Sequence, residues 1–443
     1  MAVLVVTALV GLVAFSGLEI KYEEEPVEEV SAESAYLLGK YTMHLWYTDE
    51  GLTDYLNYVA VTYNSSNDEY RVVPVLVSGR EYLESISEAS MTDEDMPDLY
   101  VTTNDTLEKA HLAGLADPII PPANTDLRDI FTQTSLNAIT FHSQMMAYPL
   151  FMECSALLYN DTYLSDWAGS TLEAEGKKVS DEEVSAYVEA HLPVSYEKLL
   201  EFSNAYDAPE GVESIFKWAV TDIFYNYFFI GDSIEIGGPF GDDTTAINIY
   251  NDNAIAGLKS YQDLNQFFSI NTSDVSYAGV MDEFMDGKLV MTIATTDAVR
   301  TLRNAVSEGR VKFDYRFAAL PDMSDEVPAR SLSVTDAVAI NGYSPRQDAA
   351  NDFAMYLCSF DGGELYAMTG KVSTLINASF GEEDENLAAF RHEYDRSVPL
   401  PKMMETHLFK GIATPRCHLP LARQFAPKML ILSTVLCHEL DME

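Results

Sequence analysis

A chain of 443 residues, 47% of them hydrophobic and 11% aromatic, has more apolar surface than one core usually absorbs, so two lobes are expected and a disordered chain is excluded. Seventy acidic residues against 27 basic ones leave a formal charge of -43 at pH 7. That balance argues against nucleic acid, because phosphate contact needs clustered Lys and Arg, and against docking on an anionic membrane surface. Solubility is the simple consequence of so acidic a surface, and cation binding the functional one.

In chain order, Met1 to Leu18 is uncharged and rich in Val, Leu and Ala, and the acids Glu23, Glu24, Glu25, Glu28 and Glu29 follow. Residues 1–35 therefore read as a signal peptide or N-terminal membrane anchor with an acidic tether. Ala14-Phe15-Ser16 suits a small-x-small cleavage rule, and no cysteine nearby offers a lipid anchor. Met43 to Tyr47 reads as a first strand, Thr53 to Asn64 as a helix and Arg71 to Val77 as a second strand. Pro97 to Val101 is a short third strand, and Thr106 to Ala113 a helix that Gly114 caps. Ala147 to Tyr159 is a long apolar run with one acid, Glu153, in its middle. Asp166 to Glu189 is acidic and polar, as expected of a surface insertion, and Ser195 is placed as the N-cap of a further helix. Val280, Met281, Phe284 and Met285 make one apolar helix face, Gly287 the left-handed C-cap, and Leu289 to Ile293 a buried strand. Ser344-Pro345 opens a helix with Ala349, Ala350, Phe353, Ala354 and Leu357 on one face, and Asp361-Gly362-Gly363 is expected to end it. The alternation of strands and helices predicts an α/β fold, a mostly parallel sheet wrapped by helices.

Several of these segments resemble, in order, the extracellular solute-binding proteins of the maltose-binding type. Phe284-Met285-Asp286-Gly287-Lys288-Leu289-Val290-Met291 is similar to the family's F-x-x-G-K-x-x-M sequence. Leu45 to Asp49 resembles its opening strand and loop, Pro97-Asp98-Leu99 its third strand, and Gly114-Leu115-Ala116-Asp117-Pro118 its G-L-L-x-P-L turn. Tyr148-Pro149 to Glu153 with Leu158-Tyr159-Asn160 resembles the strand that crosses between lobes, and Pro193 to Leu200, Phe317 to Pro321, Ala337 to Ile340 and Gly370 to Thr374 continue the match. The resemblance implies a two-lobed periplasmic-binding-protein-like fold, residues 36–150 and 321–372 in one lobe and 151–320 and 373–443 in the other. About three crossings would join them, near Tyr148 to Cys154, Phe313 to Leu320 and Lys371 to Ala378, and hinge motion would close them on a ligand. It further implies an exported, monomeric substrate-binding component of an ABC importer that needs no cofactor and hands a carbohydrate to membrane permease subunits.

Open α/β sheets bind ligands at the carboxyl ends of their strands, and sugar sites combine aromatic faces with carboxylates or amides. Trp46, Tyr47, Asp49 and Glu50 after the first strand, and Thr103, Asn104 and Asp105 after the third, are the candidates that follow. An acid inside an apolar strand is costly unless it is paired or faces water, so Glu153 is placed in the interlobe cleft, where the family's glutamate contacts ligand. Tyr225 and Tyr227 stand where the family presents an aromatic from the second lobe, with packing in a core helix as the other reading. Thr296-Asp297 stands where the family commonly has an aromatic loop, a departure that removes one stacking residue and leaves Asp297 as the candidate there; Arg416, Arg423 and Gln424 lie near the last helix. No G-x-S-x-G, H-E-x-x-H or Walker sequence is present, so no enzyme chemistry is assigned, although seventy acids leave a two-carboxylate glycosidase open. Cys417-His418 and Cys437-His438 are adjacent pairs where zinc ligands are spaced, and no metal site is expected. Polyamine or peptide-like ligand binding in the same fold, a membrane-tethered glycan-acting enzyme and a ligand sensor are the alternatives.

Overall fold

The computed structural model describes residues 39–403, apart from 93–94, 221–222, 271–274, 325 and 382–383. The N-terminal apolar segment and tether, Arg416, Arg423, Gln424 and both Cys-His pairs lie outside the described residues. Strand β1 (Tyr41–Tyr47), helix α1 (Thr53–Ser66), β2 (Tyr70–Leu76) and β3 (Leu99–Thr103) begin a first sheet, with β1 parallel to both its neighbours. Helix α2 (Gln133–Ile139) leads to β4 (Ala147–Glu153), and β5 (Ser155–Asn160) follows after one residue. Helices α3 (Asp161–Ala174), α4 (Asp181–His191) and α5 (Tyr196–Ala205), then β6 (Ser214–Phe216), α6 (Tyr277–Met285), β7 (Leu289–Thr295), α7 (Asp297–Ser307) and β8 (Tyr315–Ala318) build a second unit around the sheet β8-β5-β7-β6. Strand β9 (Leu332–Ile340) returns to the first sheet between β4 and β3. Helices α8 (Gln347–Cys358) and α9 (Gly362–Thr369) and β10 (Val372–Ser373) complete that side. Helix α10 (Asp384–Arg396) then packs on β8 and β5 of the second sheet, and β11 (Val398–Pro399) pairs with the start of β9.

The molecule is thus a two-lobed α/β protein, as expected, with one main sheet to each lobe. Both main sheets are mixed: β9, which arrives from the second lobe, runs antiparallel to β3 and β4, and β5, which arrives from the first, runs antiparallel to β7 and β8. The apolar run over 147–159 breaks at Cys154, whose buried thiol donates to the Phe390 carbonyl at 3.2 Å; strand β4 belongs to one lobe and β5 to the other. Tyr47, Tyr55, Phe131, Tyr148 and Phe353 fill one face of the first sheet, and Phe216, Trp218, Tyr227, Phe228 and Phe229 one face of the second. Gly287, at φ +75°, ends α6 in the left-handed conformation that glycine adopts without steric cost, and all seven residues of β7 are buried.

One expectation is refined and two fail, each for a physical reason. Asp166 to Glu189 is a helical pair: Leu164, Ala168 and Leu172 recur every four residues on α3 and are buried, and Trp167 meets Tyr187, Phe202 and Tyr206 edge-on. The acids of that stretch, on the solvent side, hide this stripe from a composition reading. Asp361 starts a helix instead of ending one, its Oδ1 accepting the N–H groups of Gly363 at 2.9 Å and Glu364 at 3.2 Å. A Cβ on Gly363 would lie 2.4 Å from the Ser379 carbonyl oxygen, so glycine is needed there for close packing. Asp361→Ala is expected to lower stability by about 1 kcal/mol, read as a lower urea midpoint with unchanged slope. Ser344 likewise does not cap α8: its hydroxyl donates to Asp98 at 2.5 Å, and the helix begins at Gln347.

Candidate functional site

Where the lobes meet, carboxylates and tyrosines from both sides converge on the residues that follow β1, β3 and β7 and on the end of β4. Asp49 follows β1, accepts the Gly51 N–H at 2.8 Å and forms an ion pair with Lys371 at 2.9 Å. Burial alone would raise its carboxyl, but the Lys371 bond and charge, the Gly51 N–H and the Arg300 charge together hold it below the usual range. Lys371 lies just before β10, its ammonium 5.1 Å from the Phe151 ring centre. Burial disfavours that ammonium, yet the neighbouring carboxylates of Asp49, Asp336 and Glu153 outweigh burial and raise it.

Glu153 ends β4, half-buried. Burial first, then the charges of Asp297 and Asp49, push its carboxyl up, against the attraction of Lys371. Asp336, on β9, is pushed up to about 8 by burial and by Glu153, Asp49 and Asp105, again against Lys371. Among the described residues nothing hydrogen-bonds the carboxyl groups of Glu153 or Asp336.

From the other lobe, Asp297 opens α7 with its carboxylate beside the Thr295 hydroxyl and 3.4 Å from the Tyr277 oxygen. The Tyr277 oxygen accepts the Thr295 N–H at 3.1 Å, and its ring stacks on Tyr225, centroids 4.7 Å apart and planes 13° from parallel. Asp297 and Glu153 therefore couple across the junction, with an aromatic pair behind Asp297.

Of the residues expected at the site, Asp49, Glu153, Asp297 and Tyr225 come together. Glu50 is exposed in the turn after Asp49. Asp105 is buried and accepts the Thr103 hydroxyl at 2.6 Å, its charge still reaching Asp336. Trp46, partly buried, packs on the cluster of Tyr100, Leu107 and Met146. Tyr47 is 2% exposed and donates its hydroxyl to Thr53 at 3.0 Å, so it is a core residue, as is Tyr227 beside Phe228 and Phe229. Asn104 is fully buried, its amide bonded to the Leu400 carbonyl and its own oxygen to the Thr335 N–H, which makes it a joint between β3, β9 and the strap around β11. Asp336, Lys371 and Tyr277 were not expected. Asp336 carries the same signal as Glu153, an acid inside an apolar strand, and so was open to the same argument. Lys371 was visible only as part of a crossing, and nothing in the sequence marks Tyr277. Among the described residues no group of His, Cys, Asp and Glu is arranged to hold a metal ion.

Residues 59–385 match the family model of the bacterial extracellular solute-binding proteins. Among solved structures, the chain is similar to a cyclo/maltodextrin-binding protein complexed with maltotetraose, at 17% identity and a TM-score of 0.67, covering 90% of this chain and 97% of that one. An extracellular solute-binding protein from Staphylococcus aureus in complex with maltose is similar at 15% identity and a TM-score of 0.67, over 90% and 97% of the two chains. A Thermus thermophilus maltotriose binding protein bound with maltotriose is similar at 18% identity and a TM-score of 0.59, over 90% and 99%. No curated protein sequence matches the chain. At these identities the structural likeness is one of fold.

Proposed function

The chain belongs to the bacterial extracellular solute-binding proteins, and from that premise we propose that it is the substrate-binding component of an ABC importer, capturing a carbohydrate between its lobes and delivering it to membrane permease subunits. The observation that carries this reading is the meeting of Asp49, Glu153, Asp336 and Lys371 on one lobe with Asp297, Tyr277 and Tyr225 on the other. Carboxylates, hydroxyls and an ammonium at short range match the vicinal hydroxyls of a sugar, and the tyrosine pair offers a face for the apolar side of its ring. A ligand touching both halves stabilises the closed arrangement, so binding and hinge closure are one event. In this reading the protein is an exported monomer, held at the outer face of the cell membrane or secreted, the lobes are residues 36–150 with 321–372 and 151–320 with 373–443 except that 151–153 and 373 stay with the first lobe as the ends of β4 and β10, and no bond in the solute is broken.

The excess of carboxylates over Lys371 favours a second reading, a cationic solute such as a polyamine in the same place. A thermal-shift series with maltose, maltotriose, maltotetraose, spermidine and a tripeptide separates the two. Stabilisation of about 3 kcal/mol is expected from an oligosaccharide present at a hundred times its dissociation constant. A rise with spermidine alone, or release of shorter sugars from the oligosaccharides, would sink the carbohydrate-capture reading.

A further inference from the structure

Asp336 sits where the ladder between β9 and β4 slips. It faces Phe151, the next residue Ala337 faces Pro149, and Leu150 is left over as the extra residue of β4. Irregular pairing of this kind re-aims side chains, and Pro149 lacks the N–H that a regular ladder would use at that step. The remainder of the strand, Leu332 to Ile340, is apolar or hydroxylic, so Asp336 is its one charged position.

The charged groups that face it come from every neighbouring element: Lys371 before β10, Glu153 on β4, Asp49 after β1 and Asp105 after β3. Beyond them, on α7, Asp297 acts on Glu153, and Arg300 on Asp49. Lys371 is already paired with Asp49, and Asp105 takes the Thr103 hydroxyl. Four carboxylates around one lysine do not all ionise together, because each added negative charge works against the others. The proton stays where burial and several neighbouring carboxylates act together and no hydrogen bond among the described residues steadies the anion, as at Asp336. Burial and the surrounding acids raise the Asp336 carboxyl to about 8, which leaves an O–H there at neutral pH.

We propose that Asp336 is a solute-binding residue that donates a hydrogen bond to an oxygen of the solute, and so favours a neutral, hydroxyl-bearing solute over an amine. This inference rests on the junction being the solute site. An ammonium placed there would find at Asp336 a carbonyl oxygen but no counter-charge, and would bind more tightly once the proton has left. The two classes of solute therefore have opposite pH dependence: a neutral sugar is held more weakly as Asp336 ionises, and an amine more tightly.

The test is calorimetric titration of the full chain with maltotriose at pH 6.5 and pH 9.5, in wild type, Asp336→Asn and Asp336→Ala. Wild-type affinity is expected to fall by up to about 30-fold between those values, given a carboxyl that titrates near 8. Asp336→Asn, a permanent donor, is expected to show no such fall, and Asp336→Ala to bind weakly at both. Wild-type affinity that stays level or rises with pH overturns the assignment. If maltotriose and the other oligosaccharides do not bind at all, the carbohydrate reading fails instead, and the proton is read directly. The ligand-free protein at pH 7 must then show the carbonyl stretch of a protonated carboxyl in infrared difference spectra against Asp336→Asn. Its loss by pH 9.5 supports the inference, and its absence at pH 7 overturns it.

Discussion

Glu153→Gln is expected to weaken oligosaccharide binding by about 10- to 100-fold and, at pH 7, to raise the melting temperature of the ligand-free protein. The two effects have opposite signs because they arise in different states. In the free protein Glu153 is half-buried, has no hydrogen-bond partner among the described residues, and feels both Asp297 and Asp49. Its carboxyl is raised, so whatever it contributes to stability is present in acid and is lost as pH rises through its folded value, and its negative charge is a burden to the free protein. Glutamine keeps the shape and removes that burden. In the complex the same carboxylate is an ionised acceptor for sugar hydroxyls, and hydrogen bonds to charged groups contribute about 1.5–3 kcal/mol, which an amide oxygen only partly replaces. Calorimetric titration with the tightest oligosaccharide, paired with scanning calorimetry of the free protein, reads both. A fall in melting temperature together with a fall in affinity would mean that Glu153 supports the fold and not the solute. The expected pattern is that of a functional group kept at some cost to stability.

The sequence made the lobes and most of their elements legible because apolar periodicity and caps are local signals. β1, β3, α6, Gly287 and β7 were each readable from fewer than a dozen residues, and Glu153 from its contrast with the apolar run around it. The site was legible only in part. Asp49, Glu153, Tyr225 and Asp297 lie between 72 and 104 residues from one to the next along the chain, and what joins them is charge coupling and ring contact across lobes that no single segment records. Tyr47 and Asn104 misled for the same reason: each stands at the carboxyl end of a strand, yet their partners, Thr53 for one and Thr335 with Leu400 for the other, turn them inward. Lys371 acquires its meaning from Asp49, more than three hundred residues earlier, and Asp336 from a slip in a ladder that only the folded pairing displays.

Glu393→Gln is expected to stabilise the protein above neutral pH by an amount on the order of 3 kcal/mol and to leave stability near pH 5 almost unchanged. Glu393 lies on α10, fully buried, under the passage from β8 to β9. One carboxyl oxygen accepts the Leu320 N–H at 3.2 Å and lies 3.8 Å from the Arg396 guanidinium, while the other is buried with no partner among the described residues. Arg396 is shared with Asp322 and the Ala329 carbonyl, so it only partly offsets the burial. Burial is the largest influence, Arg396 and the Leu320 N–H oppose it, Asp322 adds to it, and the carboxyl rises to about 7. The sign follows from the direction: a raised carboxyl favours the folded state while protonated and loses that advantage as pH climbs from the ordinary carboxylate range through about 7. Glutamine retains an oxygen for the Leu320 N–H and has no proton to lose, so the wild-type and variant stabilities should coincide in mild acid and separate above pH 7. Urea unfolding at a series of pH values between 5 and 8.5 reads the separation directly, since the other titrating groups are common to both chains and cancel in the difference. Curves that run parallel across that range would mean that Glu393 does not change its protonation there, and that its unpartnered oxygen is compensated within the fold.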